Sequence, residues 1–299
     1  MSRPSRPFVT GGTGFVGRHL LELLGSGTDA PGHGELDLLD AEAVEDAIAA
    51  GQPDVVFHLA ALASVEDSWA YPRAVLLGNL EMTVNLLEAM RRHAPGATLL
   101  FASSGEVYGP PVQLPVDESA PLHPANPYAV SKAACDLLAG QYADSHGMRI
   151  VRTRAFNHAG PGQSDSYLVG TLTRQVAQAE TEGAREAVVR TGNPDSARDF
   201  TDVRDVVRAH VAALEMPAGA YNICSGRAVS VRELIELLRT VARVPVRHEV
   251  EDARRRVHDV PTIVGSAERL SSATGWRPTI PLARTVADAL EAWRNRLRP

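Results

Sequence analysis

A single lysine stands among the 30 lysines and arginines of this 299-residue chain. It follows a tyrosine by four places, as Tyr128 and Lys132, a coincidence that one lysine and six tyrosines would give by chance about one time in fifty. A phenol with its ordinary pKa near ~10 is a poor proton donor or acceptor at neutral pH. An ammonium one helical turn away favours the phenolate, so the pair is expected to move a proton, with Lys132 lowering the pKa of Tyr128. Upstream, Phe101-Ala-Ser-Ser-Gly-Glu-Val-Tyr108 supplies hydroxyls. Ser104 is expected to polarise a substrate oxygen, with Ser103 nearer a cofactor. Glu106 admits two roles, an acid or base for elimination or a structural or substrate-hydroxyl contact, and the second is preferred.

These side chains need a helix and a sheet edge to hold them. Asn126 can cap and Pro127 suits the first helical position of Tyr128-Ala-Val-Ser-Lys132 and beyond. At 3.6 residues per turn, Tyr128, Lys132, Cys135 and Ala139 share a stripe expected to face a cofactor, opposite a core-type stripe of Val130, Ala134, Leu137 and Leu138. A second motif, Gly11-Gly-Thr13-Gly14-Phe15-Val16-Gly17, follows a strand and opens an amphipathic helix. Glycines there let backbone approach a pyrophosphate, and the helix N-terminus offers N–H donors, so a dinucleotide is the expected ligand. An ammonium also suits ribose hydroxyls as a compact, rotatable donor. Leu59, Ala60 and Ala61, after His58, end a further strand with small residues against the cofactor. Asp29 and Asp37 are the acidic candidates near the ribose, Asp37 with Leu38 better placed beside the adenine, and NAD versus NADP stays open.

Short apolar runs alternate with helical periodicity through the first half: Phe8 to Thr10, Leu36 to Leu38, Val55 to Leu59, Thr98 to Ala102 and Arg149 to Ala155 as strands. This is an α/β pattern, a Rossmann-type doubly wound parallel sheet. The stretch Gly25 to Glu35 is too short and irregular for a full second βα unit, which is expected to be truncated. Residues 1–157 are assigned to the dinucleotide-binding domain, with a return segment at about 203–220, and 158–202 and 221–299 to a smaller C-terminal substrate-binding lobe. A formal charge of −6 argues against nucleic acid as partner. Cys135 and Cys224 form neither a disulfide framework nor a metal motif, and no metal is expected. The N-terminus shows no stretch apolar enough for a signal or membrane span, so a cytoplasmic protein without membrane partners is expected.

The stretches DVVFHLAALASVEDSW, SSGEVYG, NPYAVSKAA, RAFNHAGPGQ, SARDFTDVRDVV and YNICSGRAVSVRELIELL together resemble the extended short-chain dehydrogenase/reductases acting on nucleotide sugars. Within them the chain is most similar to the GDP-6-deoxy-D-mannose reductases, nearly end to end. The resemblance implies Ser104, Tyr128 and Lys132 as catalytic triad, Tyr128 giving a proton to the C4 oxygen of a GDP-sugar as hydride arrives from NADP or NAD. It implies that Asn79, Phe156 and His158 join the cofactor site. Ser64, Asn157, Arg198 and Arg256 would meet the substrate, the arginines at its phosphates. A homodimer is also implied. The dehydratases of the superfamily carry a glutamate where Glu106 stands, but Gly105 lacks the preceding aspartate of the dTDP-glucose enzymes. A nucleotide-sugar 4,6-dehydratase or epimerase with tightly bound cofactor is therefore the alternative. A cofactor-sensing protein would not need the Tyr128–Lys132 pair.

Overall fold

Strands buried on both faces must be apolar at every position, and the short runs of the first half meet that demand. In the computed structural model, which describes residues 4–252 and 260–298, they form a five-stranded parallel sheet. Its order is β1 (Pro7–Thr10), β2 (Val55–His58), β3 (Thr98–Ser104), β4 (Arg149–Ala155) and β8 (Gly219–Ile223). Successive residues point to opposite faces. Phe8, Val56, Leu99 and Ile150 join one core with helices α2 (Ala41–Gly51), α4 (Pro72–His93) and α5 (Pro127–His146). Val9, Phe57, Leu100 and Val151 join the other with α1 (Phe15–Leu24), α7 (Val203–Ala213) and α9 (Glu268–Thr274). The fold is the expected doubly wound Rossmann type.

The expected strand at Leu36 to Leu38 is absent. Those two leucines are buried in the α2–α4 core while their backbone runs in turns. What remains of the second strand is one bridge, in which Val9 N donates to Asp29 O at 2.7 Å and Asp29 N to Pro7 O at 2.9 Å. Helix α5 is also rotated from expectation. Lys132, Cys135, Asp136 and Ala139 are among its buried residues, whereas Val130 is 41% and Leu137 60% exposed, and of the expected core stripe only Leu138 packs against the core. Apolar type misled here, because the helix turns Lys132 and Asp136 toward the sheet and a greasy stripe outward.

The remaining elements build a smaller unit. Strands β5 (Asn157–Ala159), β7 (Ala197–Asp202) and β11 (Thr262–Ile263) pair in parallel, β9 (Ala228–Ser230) joins β7 antiparallel, and β6 (Ala187–Thr191) pairs with β10 (Val246–Val250). Helices α6 (Leu168–Thr181), α8 (Val231–Val241) and α10 (Leu282–Leu297) cover an apolar core that includes Val176, Val189, Leu234, Leu238 and Leu290. Two pieces of the region assigned to this lobe instead pack on the main sheet. Tyr221 to Ile223 lie in β8, hydrogen-bonded to β4, and α9 with Trp276 packs against α7 and β8.

Candidate active site

The carboxyl ends of β1 and β2 meet at the glycine turn. Gly11 has φ +75°, and a Cβ there would lie 2.6 Å from Ala60 N, so the turn rests directly on the end of β2. A Cβ on Gly17 would lie 2.1 Å from Gly11 O. Gly14 caps α1 without a side-chain hydrogen bond, leaving first-turn N–H groups for an anion. The turn and helix end thus fit a pyrophosphate. Thr10 steadies the same edge, its hydroxyl 2.7 Å from His58 Nδ1 and accepting from Ala60 N at 3.4 Å. His58 is buried and its pKa falls to about 3, through burial and then the nearby Lys132, so the ring is neutral.

The loop after β4 folds back over this helix end. His158 stacks on Phe15 with ring centroids 6.0 Å apart, and His19 Nε2 lies 2.9 Å from Pro161 O. Phe156 is buried under Gly105, where a Cβ would come within 3.0 Å of its ring. The acidic candidates fare differently. The Asp29 carboxylate lies beside Gly51, away from the glycine turn, and Asp37 is exposed, accepting from Leu39 N. Glu35, which sequence reasoning passed over, accepts from Gly32 N at 2.8 Å, and Gly32 itself lies close to Thr13. Asn79 is buried with its amide engaged by the protein: it accepts from Leu62 N at 2.7 Å and donates to Leu62 O at 3.2 Å and Ser131 Oγ at 2.9 Å. These bonds tie the segment after β2 to α5.

The candidate proton-transfer groups sit where β3 and α5 meet. Asn126 accepts from Ala129 N at 2.8 Å, and Pro127 opens α5, so Tyr128 lies in its first turn. Ser104 Oγ accepts from Glu106 N at 3.2 Å, which leaves its own proton to donate, and the hydroxyl bonds to Tyr128. Lys132 Nζ donates to Ala102 O at 2.5 Å and lies 4.7 Å from the Phe101 ring centroid. Tyr128 therefore departs from expectation. Burial, then the neighbouring Tyr167 and Glu106, push its pKa above the ordinary phenol value, and Ser104 opposes them. The phenol keeps its proton, the form a proton donor needs. Burial lowers the pKa of Lys132, against the pull of Cys135 and Asp136.

Behind this pair lies a network that sequence reasoning missed. Asp136, one turn beyond Lys132, is fully buried and accepts from Arg154 Nε at 3.0 Å and Nη2 at 2.9 Å and from Arg152 Nη1 at 3.0 Å. Arg154 Nη1 also donates to Tyr108 Oη at 3.0 Å, which donates to Asn222 Oδ1 at 2.8 Å. Burial would raise the pKa of Asp136, but the guanidiniums outweigh it and hold the carboxyl below its ordinary range. An Asp four places after a lone lysine carried no pattern pointing to partners on a distant strand.

The substrate candidates are more scattered. Ser64 caps α3 (Val65–Ala70), accepting from Asp67 N at 3.0 Å, and Asn157 is exposed on β5. Arg198 Nη1 donates to Ser196 Oγ, Ala197 O and Val260 O at 2.8 to 2.9 Å, so part of its guanidinium is held by the chain. Arg256 lies outside the described residues. Tyr167, the half-exposed residue before α6, comes close enough to act on both Tyr128 and Asp67 and was not foreseen. Among the described residues no cluster of three His, Cys, Asp or Glu could hold a metal, and no helix is long and apolar enough to cross a membrane.

Comparison with known proteins bears on this geometry. Residues 28–289 match the family model described as GDP-mannose 4,6 dehydratase. The chain is 38% identical to GDP-6-deoxy-D-mannose reductase of Pseudomonas aeruginosa, over 98% of each chain. It is 36% identical to UDP-glucose 4-epimerase of Streptomyces lividans, over 81% of this chain and 76% of the relative. The solved structure of RMD from Pseudomonas aeruginosa complexed with NADPH superposes with a TM-score of 0.90 at 37% identity, covering 98% of both chains. A UDP-glucose 4-epimerase of Thermus thermophilus complexed with NAD gives 0.82 at 29% identity, covering 98% of this chain and 100% of that one.

Proposed function

The chain belongs to the GDP-mannose 4,6-dehydratase family of extended short-chain dehydrogenase/reductases, and from that premise we propose that it reduces the C4 ketone of GDP-4-dehydro-6-deoxy-D-mannose to GDP-D-rhamnose with NADPH or NADH. The observation that carries this reading is the likeness to GDP-6-deoxy-D-mannose reductase over nearly the whole of both chains. The bound cofactor would supply the hydride. The glycine turn and the start of α1 would hold its pyrophosphate, and His158 and Phe15 would flank it. Ser104 would donate to the ketone oxygen, and Tyr128 would pass its proton to that oxygen as charge develops there. Lys132 would then stabilise the phenolate left behind and hold the ribose, while Asp136 opposes the loss of its charge. Ser64, Asn157, Arg198 and Arg256 are proposed for the sugar and nucleotide.

The neighbouring UDP-glucose 4-epimerases support a second reading, a nucleotide-sugar 4,6-dehydratase or epimerase that regenerates its cofactor each turnover. The two differ in stoichiometry. Given the ketosugar nucleotide, a reductase oxidises one reduced nicotinamide per product, and absorbance falls in proportion. If the authentic ketosugar brings no net oxidation, the reductase reading is wrong. The reading includes a cytoplasmic homodimer, for which Val130 and Leu137 on α5 and Leu77 on α4, all more than 40% exposed, offer apolar surface to bury. Sedimentation would test the dimer.

A further inference from the structure

We propose that Glu106 is a positioning residue for Tyr128, acting through the side chain of Asn126, and not the base of an elimination. This deepens the reductase reading and rests on it. The inference starts from the amide of Asn126. Its carbonyl oxygen is committed to Ala129 N as the cap of α5, so the NH₂ end must point the other way and find an acceptor. Glu106 Oε2 is that acceptor, at 3.2 Å. Glu106 sits in the 3-10 turn Gly105–Tyr108 immediately after Ser104, and its own N–H donates to Ser104 Oγ.

One residue thus touches both halves of the proton-transfer site. Its backbone orients the Ser104 hydroxyl, and its carboxylate grips the cap two residues before Tyr128. The segment entering α5 is held to the same turn a second time, since His123 N donates to Val107 O at 3.0 Å. A Cβ on Gly109 would fall 1.8 Å from His123 O, so the two stretches are in direct contact. A carboxylate occupied in this way is poorly disposed to take a proton from a sugar carbon.

The brace depends on one donor facing one acceptor, so it can be broken and rebuilt with the roles exchanged. Glu106→Gln keeps an oxygen for Asn126 and should retain kcat within about threefold, whereas Glu106→Ala should lose about tenfold in kcat with the KM for reduced nicotinamide unchanged. Asn126→Asp still caps the helix but sets two carboxylates against each other, and should fall as far as Glu106→Ala. Combining Glu106→Gln with Asn126→Asp restores a donor facing an acceptor and should recover most of the loss. A double variant no better than Asn126→Asp, or Glu106→Gln as impaired as Glu106→Ala, overturns the proposal.

Hydrogen exchange gives a readout that needs no turnover. The Ala129 amide should exchange about fivefold faster in Glu106→Ala and near the parent rate in Glu106→Gln. Unchanged exchange in Glu106→Ala overturns the brace. If the parent protein fails to oxidise reduced nicotinamide with the ketosugar, the reductase reading falls while the exchange measurement still decides what Glu106 does.

Discussion

Two sets of ion pairs, one under the carboxyl edge of the main sheet and one on the β6–β10 surface of the smaller lobe, differ in exposure. Under the carboxyl edge of the main sheet, Asp136 is fully inaccessible, Arg154 nearly so, and both are bound into a chain that reaches Tyr108 and Asn222. In the smaller lobe, Arg190–Glu249 and Arg247–Glu186 join β6, β10 and their flanks at the surface, with each side chain more than a third exposed. Beneath them lies an apolar core. A buried, directional network permits one geometry, while apolar packing tolerates many. The network of Asp136 and Arg154 thus permits one geometry beneath Ser104, Tyr128 and Lys132, whereas the β6–β10 pairs lie over packing that tolerates change.

Variants at this carboxyl edge should accordingly produce the largest effects. Tyr128→Phe should lower kcat by about 10²–10⁴-fold in the reductase assay while leaving the fold intact by circular dichroism. A decrease below tenfold would remove Tyr128 from the proton step. Next comes Asp136→Asn, which leaves two guanidiniums without a counter-charge in a buried site and should cost about 3–5 kcal/mol in urea unfolding. If that variant unfolds at the parent midpoint, the contrast between the lobes fails on the side where it is sharpest.

Acid should reveal the same difference. His58 and His210 are both buried and neutral, their pKa values lowered by burial to about 3, far under the ordinary 6.5. The unfolded chain therefore binds protons that the native chain refuses between about pH 6.5 and 3, so stability is complete above that window and falls as pH drops through it. His210→Gln, which keeps a polar partner for Thr153, should take up one proton fewer on unfolding across that range. An unchanged slope of unfolding free energy against pH would show that His210 is not held neutral.

How much of this was legible beforehand follows from the range over which each interaction acts. The glycine turn, the cap at Asn126 and the alternation of strands and helices are local patterns, and the chain folds as they indicate. Leu36 and Leu38 have the residue types of a strand, but no partner strand lies beside them, and hydrophobicity alone could not reveal that. The orientation of α5 was hidden for a related reason. Val130 and Leu137 look like core, but the bonds of Lys132 to Ala102 and of Asp136 to Arg154, with Cys135 and Ala139 packed beside them, turn the opposite stripe inward. Those partners lie 30 and 18 residues away and leave no periodic trace. The grip of Glu106 on Asn126, across 20 residues, was invisible in the same way, which is why its role stayed open between chemistry and structure.

The smallest effect is the most direct test of the smaller lobe. Arg190 Nε lies 3.0 Å from Glu249 and 3.2 Å from Glu251, so either carboxylate can replace the other, and water reaches all three. Pairs of this kind gain little, because solvent screens them and ordering two long side chains costs entropy. The β6–β10 ladder beneath is held by parallel backbone pairing from Val246 to Val250 and by Val189 and Val246 in the core. Glu249→Gln should therefore shift the melting midpoint by no more than about 1 °C, and raised salt should leave parent and variant equally stable. A shift of several degrees that disappears in salt would mean that surface charge, and not apolar packing, shapes this lobe.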